Sequence, residues 1–190
     1  MTTPTDGDGY DAMFDLAPVS LWLEDYSAVK ALFEQWRRDG VTDIRAHFAG
    51  GRERVEECSL RIRVLKVNRR TLALYGARDQ AQLVDNLGRV FRDDMFDQHA
   101  EEMAQLWDGG HGFASETVNY TLSGKRLDIV LKATVLPGHE ATWDRVLVAI
   151  EDVTERARAE RNLARRASPT FAPSSTCTQT SSRAACATSR

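Results

Sequence analysis

No stretch of this 190-residue sequence approaches the roughly 20 consecutive apolar residues that cross a bilayer, so no transmembrane segment is expected. Cysteine is scarce: of three, Cys58 stands alone in the body, and Cys177 and Cys186 lie near the C-terminus. Their spacing gives neither a disulfide framework nor a metal site. An excess of one charge is also missing. The 25 basic and 28 acidic residues leave a formal charge of −3, without the general basic field that nucleic acid requires. The N-terminus, Met1 to Gly9, is polar and lacks the basic start and apolar core of a secretory signal, so the cytoplasm is the default compartment. No phosphate-binding glycine loop, GxSxG elbow, HExxH pair or paired catalytic carboxylates occur. The chain is not expected to turn over substrate.

What is present is an ordinary globular composition, 42% hydrophobic and 28% charged, sufficient for one domain with its own core. Residues 1–10 are expected to be disordered. The composition changes again at Ser168. From there to Arg190, eleven of 23 residues are Ser or Thr, and none is Asp, Glu, Lys, Leu, Ile or Val. Such a segment, 168–190, is expected to be disordered. It reads either as a flexible Ser/Thr-rich tail or as an out-of-frame read-through.

Between these ends the periodicities alternate. Tyr10–Ala17 predicts a short helix ending at Pro18, and Val19–Asp25 a strand. Ser27 predicts a helix cap, and Val29, Leu32, Phe33 and Trp36 repeat at helical spacing until Gly40. Two shorter helices follow around Ile44–Phe48 and Val55–Leu60, then a strand over Ile62–Lys66. Asn68 predicts a cap for a helix through Tyr75, and Asp79-x-x-Gln82 a capping box for one carrying Leu83, Val84 and Leu87, ended by Gly88. Asp94 predicts the start of a helix through Trp107 whose apolar face holds Phe96, His99, Met103 and Leu106. Three strands follow, Phe113–Leu122, Arg126–Leu136 and Trp143–Asp152, with turns at Ser123-Gly124 and Pro137-Gly138. The last is apolar on both faces, which predicts a central strand covered on each side. One cover is the helices; the other is the N-terminal helix or a second copy of the chain. Asp152-x-x-Glu155 is a second capping box, opening a polar helix to about Ala167 that buries little against its own domain.

Three stretches, in this order and spacing, resemble a PAS (sensory box) domain of the type found ahead of bacterial histidine kinases or diguanylate cyclases. They are Val67-Asn68-Arg69-Arg70-Thr71-Leu72-Ala73-Leu74-Tyr75-Gly76-Ala77, the three-strand half Gly112–Ile150, and Asp152-Val153-Thr154-Glu155-Arg156. The departure is a helical insertion at about 27–60, where most members have a tight hairpin. The resemblance implies an α+β fold: a five-stranded antiparallel sheet with flanking helices, the insertion after the first strand, and a C-terminal exit helix. It divides the chain into a sensory domain over 11–153 and a connector helix over 154–167. It also implies signal sensing and relay through a homodimer, with a downstream kinase or cyclase in the parent protein. Histidine-kinase motifs are themselves missing from this chain.

If the family packing holds, Tyr75, Phe91, Phe96, His99, Met103, Val118, Leu131 and Ala149 line a small-molecule cavity. The competing reading is a filled core and a ligand-free dimerisation module. Asp152, Thr154 and Glu155 are candidates for passing the signal into the exit helix, or simply its cap. Haem-binding relatives take an axial histidine from a helix comparable to that of His99, but a lone histidine on an apolar face is usually a hydrogen-bonded core residue. The flavin-photosensor motif Asn-Cys-Arg-Phe-Leu-Gln has no match, so Cys58 reads as a small buried residue. His47, His111 and His139 read as surface residues. No cofactor is firmly implied.

Overall fold

A computed structural model describes residues 6–92 and 95–167. The alternation in the last third of the chain produces three long strands, β3 (Gly112–Tyr120), β4 (Arg126–Val135) and β5 (Val146–Asp152), paired antiparallel in sequence order. Residues of the first third complete the sheet: β1 (Ser20–Asp25) pairs with β5, and β2 (Arg63–Val67) with β1. The order β2-β1-β5-β4-β3 places β5 at the centre, as its two-faced apolar sequence requires. The expected five-stranded antiparallel α+β architecture, with its insertion and C-terminal helix, is the observed one.

Helices occupy the connections. α1 (Asp6–Leu16) precedes β1; α2 (Ser27–Arg38), α3 (Ile44–Ala49) and α4 (Arg52–Leu60) form the insertion between β1 and β2. α5 (Arg69–Tyr75), α6 (Gln80–Asp85), α7 (Leu87–Val90) and α8 (Phe96–Trp107) lie between β2 and β3, and α9 (Thr154–Ala167) leaves β5. The α2 stripe Val29, Leu32, Phe33 and Trp36 is buried. Phe33 packs edge-on against Trp107 of α8 and Trp143 of the β4–β5 loop, with centroids 5.3 and 6.0 Å apart. The insertion is thus welded to the domain by aromatic contacts, reinforced by Arg37 donating to the Trp107 carbonyl at 2.6 Å.

Asn68 acts as more than a cap. Its side-chain oxygen accepts from the Thr71 and Leu21 amides (2.9 and 3.1 Å), while its amide group donates to the carbonyls of Phe14 and Val19 (3.1 and 2.9 Å). One buried side chain therefore ties α5 to β1 and to the end of α1. α5 then stops at Gly76, whose φ of 69° is left-handed. At β2, an edge strand, the β1 register shifts between Leu23 and Glu24. There Gln80 accepts from Val67 N (3.1 Å) and donates to the Leu65 carbonyl (3.2 Å), covering part of the edge.

Several expectations are corrected. α1 starts at Asp6, so residues 6–10 are helical and not part of a disordered end. Ser27 does not cap α2: the cap position is Tyr26, and Asp25 accepts from the Ser27 amide at 2.8 Å. The helix after Asp79 divides at Asn86, and Gly88 lies inside α7. β5 starts at Val146 because Trp143 adopts φ 56°, which breaks the extension and turns its ring onto α2. His47 is no surface group: its ring lies 4.6 Å from that of Trp36, and its Nε2 is buried. The proposed helix start at Asp94 and the Ser168–Arg190 segment lie outside the described residues. Among the described residues, no helix is long and apolar enough to cross a membrane.

Candidate functional site

Strand alternation sends every second side chain toward the helices, and these do not fill the space between the layers. A cavity of about 490 Å³ remains, within the usual range for small-molecule sites. Trp22 and Glu24 of β1, Val148 and Ile150 of β5, Leu131 of β4, and Phe113, Thr117 and Asn119 of β3 form its floor. Phe96, His99 and Glu102 of α8, with Leu87 of α7 and Phe91, cover it. The insertion contributes too: Glu56, Ser59 and Leu60 of α4 line the cavity opposite Val84 of α6. Leu60 and Val84 are the exposed apolar members of this lining.

The lining is mostly apolar but carries a buried polar cluster. Glu102 accepts at both carboxyl oxygens, one engaging His99 Nδ1 (2.9 Å) and the other the Ser115 hydroxyl. His99 is only 5% exposed, and its second ring nitrogen, Nε2, has no partner among the described residues. The Thr117 hydroxyl is likewise buried without one. Glu24 accepts from the Tyr26 hydroxyl at 3.0 Å. Burial pushes the Glu24 carboxyl from 4.5 up to about 7; the Tyr26 bond opposes this and the charge of Glu102 adds to it. Burial first, then the Glu24 and Glu102 charges, drives the Tyr26 phenol well above its ordinary value. Asn119 donates to the Tyr75 hydroxyl at 2.8 Å, which helps to fix one end of the floor.

Of the eight residues expected to line a cavity, Phe91, Phe96, His99 and Leu131 do so. Val118 and Ala149 do not, because each is one residue out of phase: the odd positions of β3 and the even positions of β5 face inward. Tyr75 and Met103 are fully buried and pack behind the lining. Sequence reasoning missed the polar members Glu24, Tyr26, Glu102, Thr117 and Asn119. A usable signal existed for two of them. Glu24 shares the parity of Trp22 in an apolar strand, and Glu102 stands one helical turn after His99 on the same face.

At the other end of β5 the sheet passes into α9. Thr154, buried, accepts from the Asp128 amide of β4 at 3.0 Å and donates to Asp152 Oδ1 at 2.5 Å. The Val153 amide donates to the Asp128 carbonyl at 2.9 Å, and Arg161 of α9 pairs with the Asp128 carboxylate at 2.8 Å. The Arg161 bond, with Arg126 nearby, holds that carboxyl below its ordinary range despite partial burial. Asp152 Oδ1 also accepts from the Thr154 amide at 2.9 Å and so satisfies the first amide of α9, whereas Glu155 does not reach back to it, being exposed and paired with Arg158 at 3.0 Å. Asp152 and Thr154 therefore tie helix to sheet, and Glu155 does not. Beyond this knot α9 is polar, with Leu163 65% exposed.

The lining does not fit a haem. Although His99 Nε2 is unpartnered among the described residues, a haem carries two carboxylates, and the described lining offers Glu24, Glu56 and Glu102 without a single Lys or Arg. Cys58 is buried in α4 outside the lining, its thiol pushed to about 12 by burial, and is inert there. Among the described residues no cluster of His, Cys, Asp or Glu is placed to hold a metal.

No family model and no curated protein matches the sequence. Solved structures do. The PAS domain of a protein from Colwellia psychrerythraea is 10% identical, with 80% of this chain and 100% of that one covered at a TM-score of 0.53. The LOV protein of Rhodobacter sphaeroides is 17% identical, with 84% and 75% covered at 0.52. A light-oxygen-voltage domain is 14% identical, with 85% and 96% covered at 0.50. With the strand order, the helical cover and the exit helix already described, these likenesses establish that the chain has the PAS fold.

Proposed function

We propose that this chain is a non-catalytic, cytoplasmic sensory module. It binds a small molecule between sheet and helices and transmits occupancy through α9 to an effector, a histidine kinase or cyclase, in the parent protein. The observation that carries this reading is the cavity itself, with two buried polar atoms of its lining residues, His99 Nε2 and Thr117 Oγ1, left without partners among the described residues. Buried polar groups are ordinarily hydrogen-bonded, and leaving one unmade costs about 1–3 kcal/mol. Ile150 lines the cavity and stands two residues before Asp152, so a shift of β5 reaches the Asp128–Thr154 knot directly.

A homodimer fits the remaining surface. Tyr10, Met13 and Leu16 of α1 are more than half exposed, and Leu21, Leu23 and Leu147 on the outer sheet face are only partly covered. This same surface favours the second reading, a ligand-free dimerisation module. A thermal-shift screen with small molecules separates the two. A ligand at about 100 times its Kd stabilises by roughly 2.7 kcal/mol, which for this size is about 5–10 °C. Failure of every compound to raise Tm, while the chain is a dimer by light scattering, leaves the second reading. A strict monomer counts against both.

A further inference from the structure

We infer that the cavity selects a protonated amine on an apolar, aromatic-sized body, with the ammonium directed to the Glu24, Glu102 and His99 side of the site. This rests on the reading of the cavity as a ligand site and specifies its chemistry. The walls set the body: Trp22, Phe91, Phe96, Leu131, Val148 and Ile150 offer apolar surface and aromatic faces. The polar cluster sets the head group. Among the described residues the lining holds three carboxyl groups and no Lys or Arg; Glu56 is answered by Arg52 at 2.9 Å, whereas Glu24 and Glu102 have no cation among those residues beyond what His99 can supply.

The unpartnered atoms ask for donors as well. With Glu102 accepting from Nδ1–H, the imidazole keeps a lone pair at Nε2, which is buried at this lining residue and has no partner among the described residues. The Thr117 hydroxyl can accept, and Glu24 has acceptor capacity beyond its bond to Tyr26. An ammonium brings three donors and a positive charge. A hydroxyl brings one donor and no charge, and a carboxylate brings only acceptors and meets Glu24 and Glu102 with like charge. The upward displacement of the Glu24 carboxyl agrees with a site lacking its cation.

Three probes with one indole body and different heads test this by calorimetric titration of the full chain: tryptamine, tryptophol and indole-3-acetate. Tryptamine is expected to bind at least about tenfold more tightly than tryptophol, the effect of one charge-assisted hydrogen bond, and indole-3-acetate not at all. Glu24→Gln should lower tryptamine affinity about tenfold and leave tryptophol unchanged. Thr117→Val, nearly isosteric, should weaken tryptamine several-fold without touching the Glu24–Tyr26 bond. Tryptophol or indole-3-acetate binding as tightly as tryptamine overturns the ammonium assignment and leaves the cavity standing as a ligand site. Absence of binding by all three to a folded chain also overturns the assignment; the broader sensory reading then stands or falls on the thermal-shift screen alone.

Discussion

Replacing Glu24 by Gln should make the protein more stable above neutral pH and leave it nearly unchanged in mild acid. Glu24 is 7% exposed, and burial raises its carboxyl from 4.5 to about 7. Below pH 4.5 both the folded and the unfolded chain carry the proton. Between 4.5 and about 7 the unfolded chain releases it and the folded chain keeps it, so stability falls as pH rises. Above about 7 both have lost it and the penalty is constant. The gap between the two values corresponds to roughly 3 kcal/mol. In a domain of this size that is about 6–12 °C in Tm. Glutamine resembles the protonated acid in shape and still accepts from Tyr26, so the variant escapes the penalty. Asp25 and Asp128, whose carboxyls lie below their ordinary range, contribute the opposite slope in acid, but equally in both proteins. The quantity to follow is therefore the difference in Tm between the two proteins, measured by circular dichroism from pH 4 to 8.5. It should open between pH 4.5 and 7 in favour of the variant and then level off. A difference that stays flat with pH, or opens in favour of the parent chain, refutes the claim that Glu24 is held in a charge-poor interior.

Three further tests address the scaffold and the lever. Asn68→Asp keeps the cap but loses both donated bonds to the Phe14 and Val19 carbonyls; it should cost about 3 kcal/mol in a denaturant titration, and a neutral result would show those bonds to be dispensable. Thr154→Val strips the Asp128 amide of its acceptor, so we expect a loss of about 1–3 kcal/mol and faster hydrogen exchange at Asp128 and Ala157; unaltered exchange would mean that α9 is not tied to the sheet through Thr154. One residue inserted between Thr154 and Ala157 rotates the distal helix by about 100°. In a fusion to a histidine kinase this should invert or abolish output, and unchanged output would make α9 a mere tether.

How much of this could be read from residues alone depends on where burial is periodic. The α2 stripe, the two-faced β5 and the Asn68 cap each declare themselves through spacing, and the sheet follows from them. Parity in the strands was the weak point. Choosing Val118 in place of Thr117 or Asn119, and Ala149 in place of Val148 or Ile150, moves a side chain to the opposite face, because no local signal marks which phase of a two-sided strand meets the helices. Trp143 shows another limit. Its apolar character suits a strand, yet contacts to residues more than 100 positions away, on α2, hold it in a left-handed turn. The polar floor of the cavity was least legible, since an acidic residue in an apolar segment usually marks a solvated edge.

The α4 helix lends Glu56, Ser59 and Leu60 to the lining of the cavity, whereas the β5–α9 junction is built from Asp128, Asp152 and Thr154. On the proposed reading, recognition and output fall to separable parts of the chain. Substitutions along this one helix should then retune what the cavity admits without disturbing the Asp128–Thr154 knot, which makes the insertion the natural place for selection, or an engineer, to change the signal.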